Sequence, residues 1–258
     1  MCYEKKGIDM VKIGFKSDRG AVRNNNEDSC FVMPKEQFYM VADGVGGNNA
    51  GEEASSIAVA TIAEYIKANP LKKPKSDDEV CMYMNTCVEI ANKKIIEHAA
   101  QKNENRGMAT TIVMCHIREN KAFFANAGDS RAYIYRKGKL CQITEDHSYV
   151  NKLLKGGAIS QEEAENHERR NMITKALGAE EKVNGDFYYA EILDGDKILL
   201  CTDGLYGELS QEEMMSILDS EGDMLVLTEK LINRANENGG HDNITVVCLD
   251  IEGGCHYE

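Results

Sequence analysis

Three aspartates stand at the ends of apolar segments that have the composition of buried strands. Asp43 and Asp203 each follow such a segment and are each followed by a glycine, and Asp242 comes shortly before a third segment. Glycine permits a sharp turn and lets the backbone approach a ligand closely. The pattern is either ordinary turn chemistry, in which aspartate and glycine are common, or a set of carboxylates gathered at one end of a sheet.

Carboxylates gathered inside a protein need a counter-charge. Like charges repel, and each buried carboxylate costs several kcal/mol to remove from water without a partner. A divalent cation compensates this charge, and oxygen ligands select Mg²⁺, Mn²⁺ or Ca²⁺ over zinc. We therefore expect Asp43, Asp203 and Asp242 to lie together as ligands of divalent cations.

Two further segments add charged groups to this set. Arg23 stands four residues before the adjacent acids Glu27 and Asp28, and Asp129 follows a small residue and a glycine after another apolar segment. Taken alone, Arg23 could form a surface salt bridge, and Asp129 could be a turn residue paired with Arg131. Beside a metal site, an arginine offers a planar, permanently charged group that fits a phosphate.

Several other chemistries have no motif in this chain. It contains neither the G-x-x-x-x-G-K-[ST] loop that binds nucleotide phosphates nor the G-x-S-x-G turn of serine hydrolases. Its six histidines show no metal-ligand spacing, and no two of its nine cysteines form C-x-x-C. This cysteine pattern favours free thiols in a reducing cytosol over disulfides or a zinc site.

The charge balance argues against two classes of partner. The chain of 258 residues has 30 basic and 43 acidic residues and a net charge of −13. Nucleic acids and anionic membranes attract cationic patches instead. No apolar run approaches the ~18 residues that span a bilayer, and the first residues do not read as a secretory signal. We expect a cytoplasmic monomer that binds neither nucleic acid nor membrane.

Short segments rich in β-branched and aromatic residues predict the strands. They are Val11–Lys16, Ser29–Met33, Phe38–Ala42, Thr110–Arg118, Lys121–Ala127, Ala132–Arg136, Phe187–Ile192, Lys197–Thr202 and Ile244–Ile251. Polar turns at 119–120 and 137–138 favour hairpins, and therefore antiparallel pairing.

Longer segments with a 3.6-residue apolar period predict the helices. They are Ala50–Lys67, Glu79–Gln101, Gln211–Leu218 and Asp223–Asn236, with Ser210 as a capping-box residue before the third. Strand clusters flanked by helices, without strict alternation, predict an α+β fold: an α–β–β–α sandwich of two antiparallel sheets flanked by helices. We expect residues 1–258 to form one domain.

Taken in order, the motifs resemble those of the metal-dependent type 2C (PPM) serine/threonine protein phosphatases, the short bacterial branch in particular. The resemblance covers about residues 11–251. A single Asp-Gly is weak evidence, whereas five motifs in the family's order are specific. These motifs are Ser17–Arg23 with Asn26–Asp28, Ala42–Gly47, Gly128–Arg131, Thr202–Leu205 and Gly240–Thr245.

The resemblance implies metal ligands among the acids. Asp43 would bridge two metal ions, the carbonyl of Gly44 would bind one of them, and Asp203 and Asp242 would complete the other. Asp129 would help to hold a third, weaker ion.

The resemblance also implies roles around these ligands. Glu27 and Asp28 would hold the ions through water molecules, and Arg23 would clamp the phosphate oxygens. Asp146 would assist Asp129. It stands at the start of a flap, a segment of about residues 145–185 that would lie beside the active site.

The implied reaction is Mn²⁺- or Mg²⁺-dependent hydrolysis of phosphoserine and phosphothreonine in proteins by a water activated between two metal ions. The implied partners are phosphorylated proteins, including a cognate serine/threonine kinase and its substrates. One alternative is a catalytically silent relative that acts as a binding scaffold, which the loss of Asp43, Asp203 or Asp242 would favour. Another is a different two-metal phosphoester hydrolase, such as a nuclease, whose basic groove the acidic composition disfavours.

The chain departs from the family's pattern close to Asp43 and within the flap. Val45 and Asn48 occupy positions at which members of the family carry histidine, and Glu168 stands where the flap often has proline. A serine or threonine oxygen is a poor leaving group and needs a proton. We therefore expect that none of the six histidines supplies it.

Overall fold

The computed structural model describes residues 10–46, 50–101 and 105–253. The strands are β1 (Met10–Asp18), β2 (Asp28–Met33), β3 (Phe38–Val45), β4 (Ala109–Thr110), β5 (Ile112–Arg118), β6 (Lys121–Ala127), β7 (Arg131–Arg136), β8 (Lys139–Gln142), β9 (Asp186–Glu191), β10 (Lys197–Cys201) and β11 (Ile244–Glu252). One sheet has the order β1-β11-β10-β7-β8, and the other has the order β2-β3-β5-β6-β9 with β4 beside β3. All these pairs are antiparallel.

Seven helices lie in the described ranges, and all but the two within residues 145–185 pack on the outer faces of the sheets. They are α1 (Ala50–Ala68), α2 (Asp77–Ala99), α3 (Tyr149–Lys155), α4 (Gln161–Glu165), α5 (Asp203–Tyr206), α6 (Gln211–Asp219) and α7 (Met224–Asn238). Ser210 forms the predicted capping box at the start of α6.

Neighbouring strand residues pack into different layers, because successive side chains point to opposite faces of a sheet. Met40 packs with the residues of α1 and α2, whereas Tyr39 lies between the two sheets. In the other sheet, Leu199 packs with the residues of α5, α6 and α7, and Leu200 lies between the sheets. Three apolar layers therefore separate four layers of secondary structure, and the predicted α–β–β–α sandwich is confirmed.

The prediction of strands and helices differs from the structure in two respects. The segment Thr110–Arg118 is two strands, β4 and β5, because the Asp43 amide donates to the Thr111 hydroxyl rather than to the Thr111 carbonyl opposite it. Strand β8 and helices α3 to α5 were not predicted, because each is too short to show a regular spacing of apolar residues. The predicted turn at Lys137 and Gly138 is correct, and both residues have positive φ angles of 50° and 75°, as a two-residue hairpin turn requires.

No helix in residues 10–46, 50–101 and 105–253 is long and apolar enough to cross a membrane. The cysteines in these ranges are free thiols, as predicted, and Cys2 and Cys255 lie outside the described residues.

One end of the sandwich collects the chain segments that carry the acids. Asp43 lies near the end of β3 in one sheet, while Asp203 follows β10 and Asp242 precedes β11 in the other. The turn from β6 to β7 crosses between the sheets and carries Asp129. The relative position of these four side chains therefore depends on how the two sheets pack.

Packing between the sheets can be tested with two phenylalanines that both lie in strands. Phe124 is fully buried between the sheets, whereas Phe15 is 48% exposed. We expect Phe124→Ala to lower the free energy of unfolding by about 3–5 kcal/mol through lost burial and a cavity. Phe15→Ala, the matched control, should cost about 1 kcal/mol or less. Urea unfolding measures both, and equal losses would contradict the layer assignment.

Candidate active site

Asp43 lies near the end of β3, where hydrogen bonds fix its backbone from one side. Its amide donates to the Thr111 hydroxyl over 2.9 Å. Its carbonyl accepts from the Thr111 amide and from the Thr110 hydroxyl, each over 2.8 Å. The break between β4 and β5 thus provides the partners that set the direction of the Asp43 side chain.

Asp28 is the partner of Asp43 in the β2–β3 ladder and is buried beneath the site. Burial raises its pKa, hydrogen bonds from Thr245 and Thr202 lower it, and the charge of Asp203 raises it. The result is a pKa of about 7. The Thr202 hydroxyl donates to Asp28 Oδ2 over 2.8 Å. Thr245 lies in β11 and Thr202 directly follows β10, so Asp28 joins the two sheets next to the acids.

Asp43 and Asp203 share a buried environment that disfavours their charged forms. Burial raises the pKa of Asp43 well above its ordinary value, and the charges of Asp203 and Asp28 raise it further. Burial and the charge of Asp242 raise the pKa of Asp203, and a hydrogen bond with Asp43 lowers it. The result is a pKa of about 6. The cluster therefore holds more negative charge than its neighbours compensate.

The donor set fits divalent cations that prefer oxygen. Asp203 Oδ1 is buried and has no hydrogen-bond partner within the described ranges, and such an atom is costly unless something binds it. Across residues 10–46, 50–101 and 105–253, no three acidic, histidine or cysteine side chains are already arranged around one point as ligands.

Gly44 and Glu27 pack against the start of α1. The Gly44 amide donates to the Glu27 carbonyl over 3.1 Å, and a Cβ on Gly44 would collide with the carbonyl of Gly51. The Glu27 carboxylate in turn lies against Gly51, where a Cβ would collide with it, and accepts from Asn25 Nδ2 over 3.2 Å. The absence of side chains at 44 and 51 brings this carboxylate close to the end of β3.

Arg23 lies at the solvent edge of the cluster. Its Nη2 is 2.5 Å from Asp242 Oδ2, and its Nε donates to the His241 carbonyl over 3.3 Å. The salt bridge considered from the sequence is therefore present, and its partner is one of the predicted metal ligands. Arg23 and Asp242 are each partly exposed, so a phosphate that reaches the acids would also meet the guanidinium group.

Asp129 is buried in the turn between β6 and β7. Burial raises its pKa to about 7, and the charges of Asp203 and Asp146 add to the rise. The hydroxyl of Tyr206 donates to the Asp129 carbonyl over 2.9 Å. Arg131 makes its ion pair with Asp146, at 2.6 Å, while its guanidinium stacks 3.5 Å above the Tyr206 ring. The Asp129–Arg131 pairing considered from the sequence is therefore replaced by Arg131–Asp146.

Asn243 is a structural residue of the site that the sequence analysis did not single out. Its Oδ1 accepts from the Glu27 amide, and its Nδ2 donates to the carbonyls of Arg19 and Asn25, each over 2.8 Å. It therefore ties the loop that carries Arg23 to the start of β11. Its position directly after Asp242 was the one signal in the sequence that could have indicated this role. Hydrogen bonds to three backbone groups far away in the chain produce no sequence pattern that would reveal them.

An α–β–β–α sandwich that gathers carboxylates and an exposed arginine at one end has the composition of a metal-dependent phosphoester hydrolase. The carboxylates are suited to divalent cations, and the arginine is suited to phosphate.

The chain belongs to the protein phosphatase 2C family, whose model matches residues 20–245. The Serine/threonine phosphatase stp of Listeria innocua is 36% identical over 239 residues, which are 92% of this chain and 94% of the relative. Among solved structures, Stp1 from Staphylococcus aureus has a TM-score of 0.88 at 31% identity and covers 98% of this chain and 99% of its own. The resemblance noted from the motifs is thus confirmed, and so is the assignment as a protein serine/threonine phosphatase.

A further structural relative bears on the metal. The catalytic domain of the phosphatase PstP, in complex with two manganese ions, has a TM-score of 0.84 at 32% identity. The match covers 94% of this chain and 99% of that one. Membership of this family supports metal-dependent catalysis in the present chain.

The buried acids predict that the stability of the metal-free protein depends on pH. An aspartate in an unfolded chain has a pKa of about 3.9, whereas folding raises the pKa of Asp28 and Asp129 to about 7 and that of Asp203 to about 6. The folded state then binds more protons than the unfolded state between about pH 4 and pH 7, so the free energy of unfolding falls as pH rises through this window.

Urea unfolding in EDTA at several pH values measures this dependence. Asp203→Asn removes one of the charges without changing the shape of the side chain, and we expect it to reduce the slope. A slope in Asp203→Asn equal to that of the wild type would contradict the pKa assignment. Addition of Mn²⁺ should stabilise the wild type most at the upper end of the window, where the carboxylates are ionised.

Proposed function

We propose that this chain hydrolyses phosphoserine and phosphothreonine in proteins with two divalent cations held by Asp43, Gly44, Asp203 and Asp242. Asp43 would serve both ions, the Gly44 carbonyl would serve one of them, and Asp203 and Asp242 would serve the other. The observation that carries the proposal is the crowding of the half-buried Asp43 and Asp203 with neighbouring carboxylates, which together with desolvation raises the pKa of both, while Asp203 Oδ1 has no hydrogen-bond partner in the described ranges. When bound, two divalent cations lower the pKa of a shared water and neutralise phosphate oxygens.

Three acids have accessory roles in this proposal. Glu27 and Asp28 hold the cations through water molecules, and Asp129 contributes to a third, weaker site. The hydrogen bonds that Asp28 accepts from Thr202 and Thr245 support its indirect role, because they occupy part of its capacity to bind an ion. The ion pair of Asp146 with Arg131 argues against Asp146 as a ligand beside Asp129.

Arg23 binds the phosphate of the substrate. It is held near the acids by Asp242 and by the His241 carbonyl, and half of its side chain is exposed. A planar guanidinium group can donate two parallel hydrogen bonds to a phosphate, which an ammonium group does not match. Arg23 therefore orients the phosphorus atom and stabilises its negative oxygens.

No histidine donates the proton to the leaving oxygen. Both ring nitrogens of His147 lie within hydrogen-bond distance of other groups, with Nδ1 3.0 Å from the Gly128 amide nitrogen and Nε2 3.0 Å from Asp186 Oδ2. His241 lies at the rim, where its Nδ1 is 2.7 Å from Glu208 Oε1. Of the two positions at which members of the family carry histidine, Val45 follows Gly44 in β3 and has no group that can donate a proton. The other, Asn48, lies outside the described residues.

The physiological setting extends this proposal. The cations are Mn²⁺ or Mg²⁺, and the protein works in the cytoplasm as a monomer on phosphorylated proteins, which include a cognate serine/threonine kinase and its substrates. The names of the Listeria and Staphylococcus relatives support phosphorylated serine and threonine as the target. Residues 1–258 act as one catalytic unit, with the flap of about residues 145–185 beside the site.

Hydrolysis of a phosphothreonine peptide, with and without metal, tests the proposal. Excess EDTA should abolish the activity and Mn²⁺ should restore it. Asp43→Ala, Asp203→Ala and Asp242→Ala each remove a direct ligand and should lower kcat by at least ~10³. Asp129→Ala should leave the two tight ions bound and weaken a third, as calorimetry with Mn²⁺ would show. Full activity in verified metal-free buffer would falsify this mechanism.

Arg23 provides a separate test of phosphate binding. Arg23→Lys keeps the positive charge but loses the bidentate geometry, so we expect KM for the phosphopeptide to rise and Arg23→Ala to lower kcat/KM further. Steady-state kinetics at saturating Mn²⁺ measure both variants. If Arg23→Ala left kcat and KM unchanged, Arg23 would be a surface salt-bridge residue and nothing more.

A further inference from the structure

Gly128, the residue before Asp129, forms hydrogen bonds to His147 through both its amide and its carbonyl. The Gly128 amide donates to His147 Nδ1 over 3.0 Å, and the His147 amide donates to the Gly128 carbonyl over 3.0 Å. Because Nδ1 accepts a hydrogen bond, it carries no proton, and the neutral ring donates from Nε2 to Asp186 Oδ2 over 3.0 Å. The ring orientation is therefore set from both ends.

The same residue joins the start of the flap to the segment around Thr174. The Thr174 amide donates to the His147 carbonyl over 2.7 Å, and Ser148 pairs with Ile173 in an isolated bridge. On the far side of the ring, Asp186 Oδ1 also binds Lys175 Nζ over 2.5 Å. His147 thus contacts the Asp129 turn, the start of the flap and its end.

Gly128 has no side chain with which to fix its own position. Its φ angle is +121°, a conformation that side chains rarely adopt, and a Cβ there would lie 2.5 Å from Thr111 Cβ. The Thr111 hydroxyl bonds the Asp43 amide and the Ser130 hydroxyl, over 2.9 and 2.7 Å. A shift of Gly128 would therefore move Asp129 and press on the residue that fixes Asp43.

We propose that His147 is a positioning residue that fixes Gly128, and through it the carboxylate of Asp129, in the orientation needed to bind a divalent cation. This inference rests on the proposed cation role of Asp129. The imidazole acts through hydrogen bonds alone and contacts neither the cation nor the substrate. Because it also bonds the Thr174 amide and Asp186, His147 transmits the arrangement of the flap ends to the Asp129 turn.

Two substitutions separate the two ring nitrogens. His147→Asn places an oxygen acceptor near the position of Nδ1 and can keep the bond from Gly128. His147→Gln reaches toward Asp186 but leaves no acceptor at the Nδ1 position. Asp186→Ala leaves the ring in place and removes the group that orients it. His98→Gln is the control for loss of a histidine away from the clamp, since His98 bonds Glu53 on another face of the protein.

The first measurement is hydrogen exchange of the Gly128 amide by NMR in the metal-free protein. The second is Mn²⁺ calorimetry, which resolves the weak site that Asp129→Ala removes. We expect His147→Gln to accelerate Gly128 exchange at least about tenfold and to weaken the weak Mn²⁺ site about 10- to 100-fold, the usual effect of losing a group that orients a metal ligand. His147→Asn and His98→Gln should resemble the wild type in both measurements, and Asp186→Ala should fall between.

The tight Mn²⁺ sites and the kcat at saturating Mn²⁺ should change less than about tenfold in every one of these variants, because the direct ligands remain. A weak site of wild-type affinity in His147→Gln would overturn the positioning role, as would equal losses in His147→Asn and His147→Gln. If His147→Gln does not fold, wild-type behaviour of Asp186→Ala in both measurements overturns it. Absence of Mn²⁺-dependent hydrolysis in the wild type would refute the proposed function instead, while amide exchange and calorimetry would still report on His147.

Discussion

The repulsion among carboxylates buried at one end of the sandwich is the constraint on which the rest of the site depends. Asp28 and Asp129 are buried and Asp43 and Asp203 are half-buried, and loss of contact with water raises the pKa of all four. The fold withstands this cost because each acid projects from a backbone that other contacts already fix. Threonines, glycines and a tyrosine hydroxyl provide these contacts, and the cations that complete the charge balance also provide the chemistry.

The two sheets divide this work between them. The sheet that contains β2 and β3 supplies Asp28 and Asp43, and the sheet that contains β10 and β11 places Asp203 and Asp242 opposite them. The bond from Thr202 to Asp28 crosses between the sheets. None of the described hairpins or helices holds all four acids, so they come together only when the apolar layer between the sheets has packed.

Two kinds of feature could be predicted from the sequence: helices with a regular spacing of apolar residues, and acids that interrupt apolar segments. The helices α1 and α2 follow from a long apolar period, and the acids stood out because charge interrupts apolar strands. The break at Thr111, the Arg131–Asp146 pair and the three bonds of Asn243 were not predictable in this way. Each depends on groups that are far apart in the chain, and neither period nor local propensity reports such contacts.

Asn243 has a consequence for how substrates meet the enzyme. Its side-chain amide holds the carbonyls of Arg19 and Asn25, the two ends of the short loop that contains Arg23, and the amides of Ala21 and Val22 both donate to the Gly240 carbonyl. The loop is in effect cyclised by hydrogen bonds, so most of its conformational entropy has been lost during folding rather than during substrate capture. Arg23 therefore projects from a preorganised loop, and binding of a phosphate at this side chain, as proposed above, would require little further ordering of the backbone.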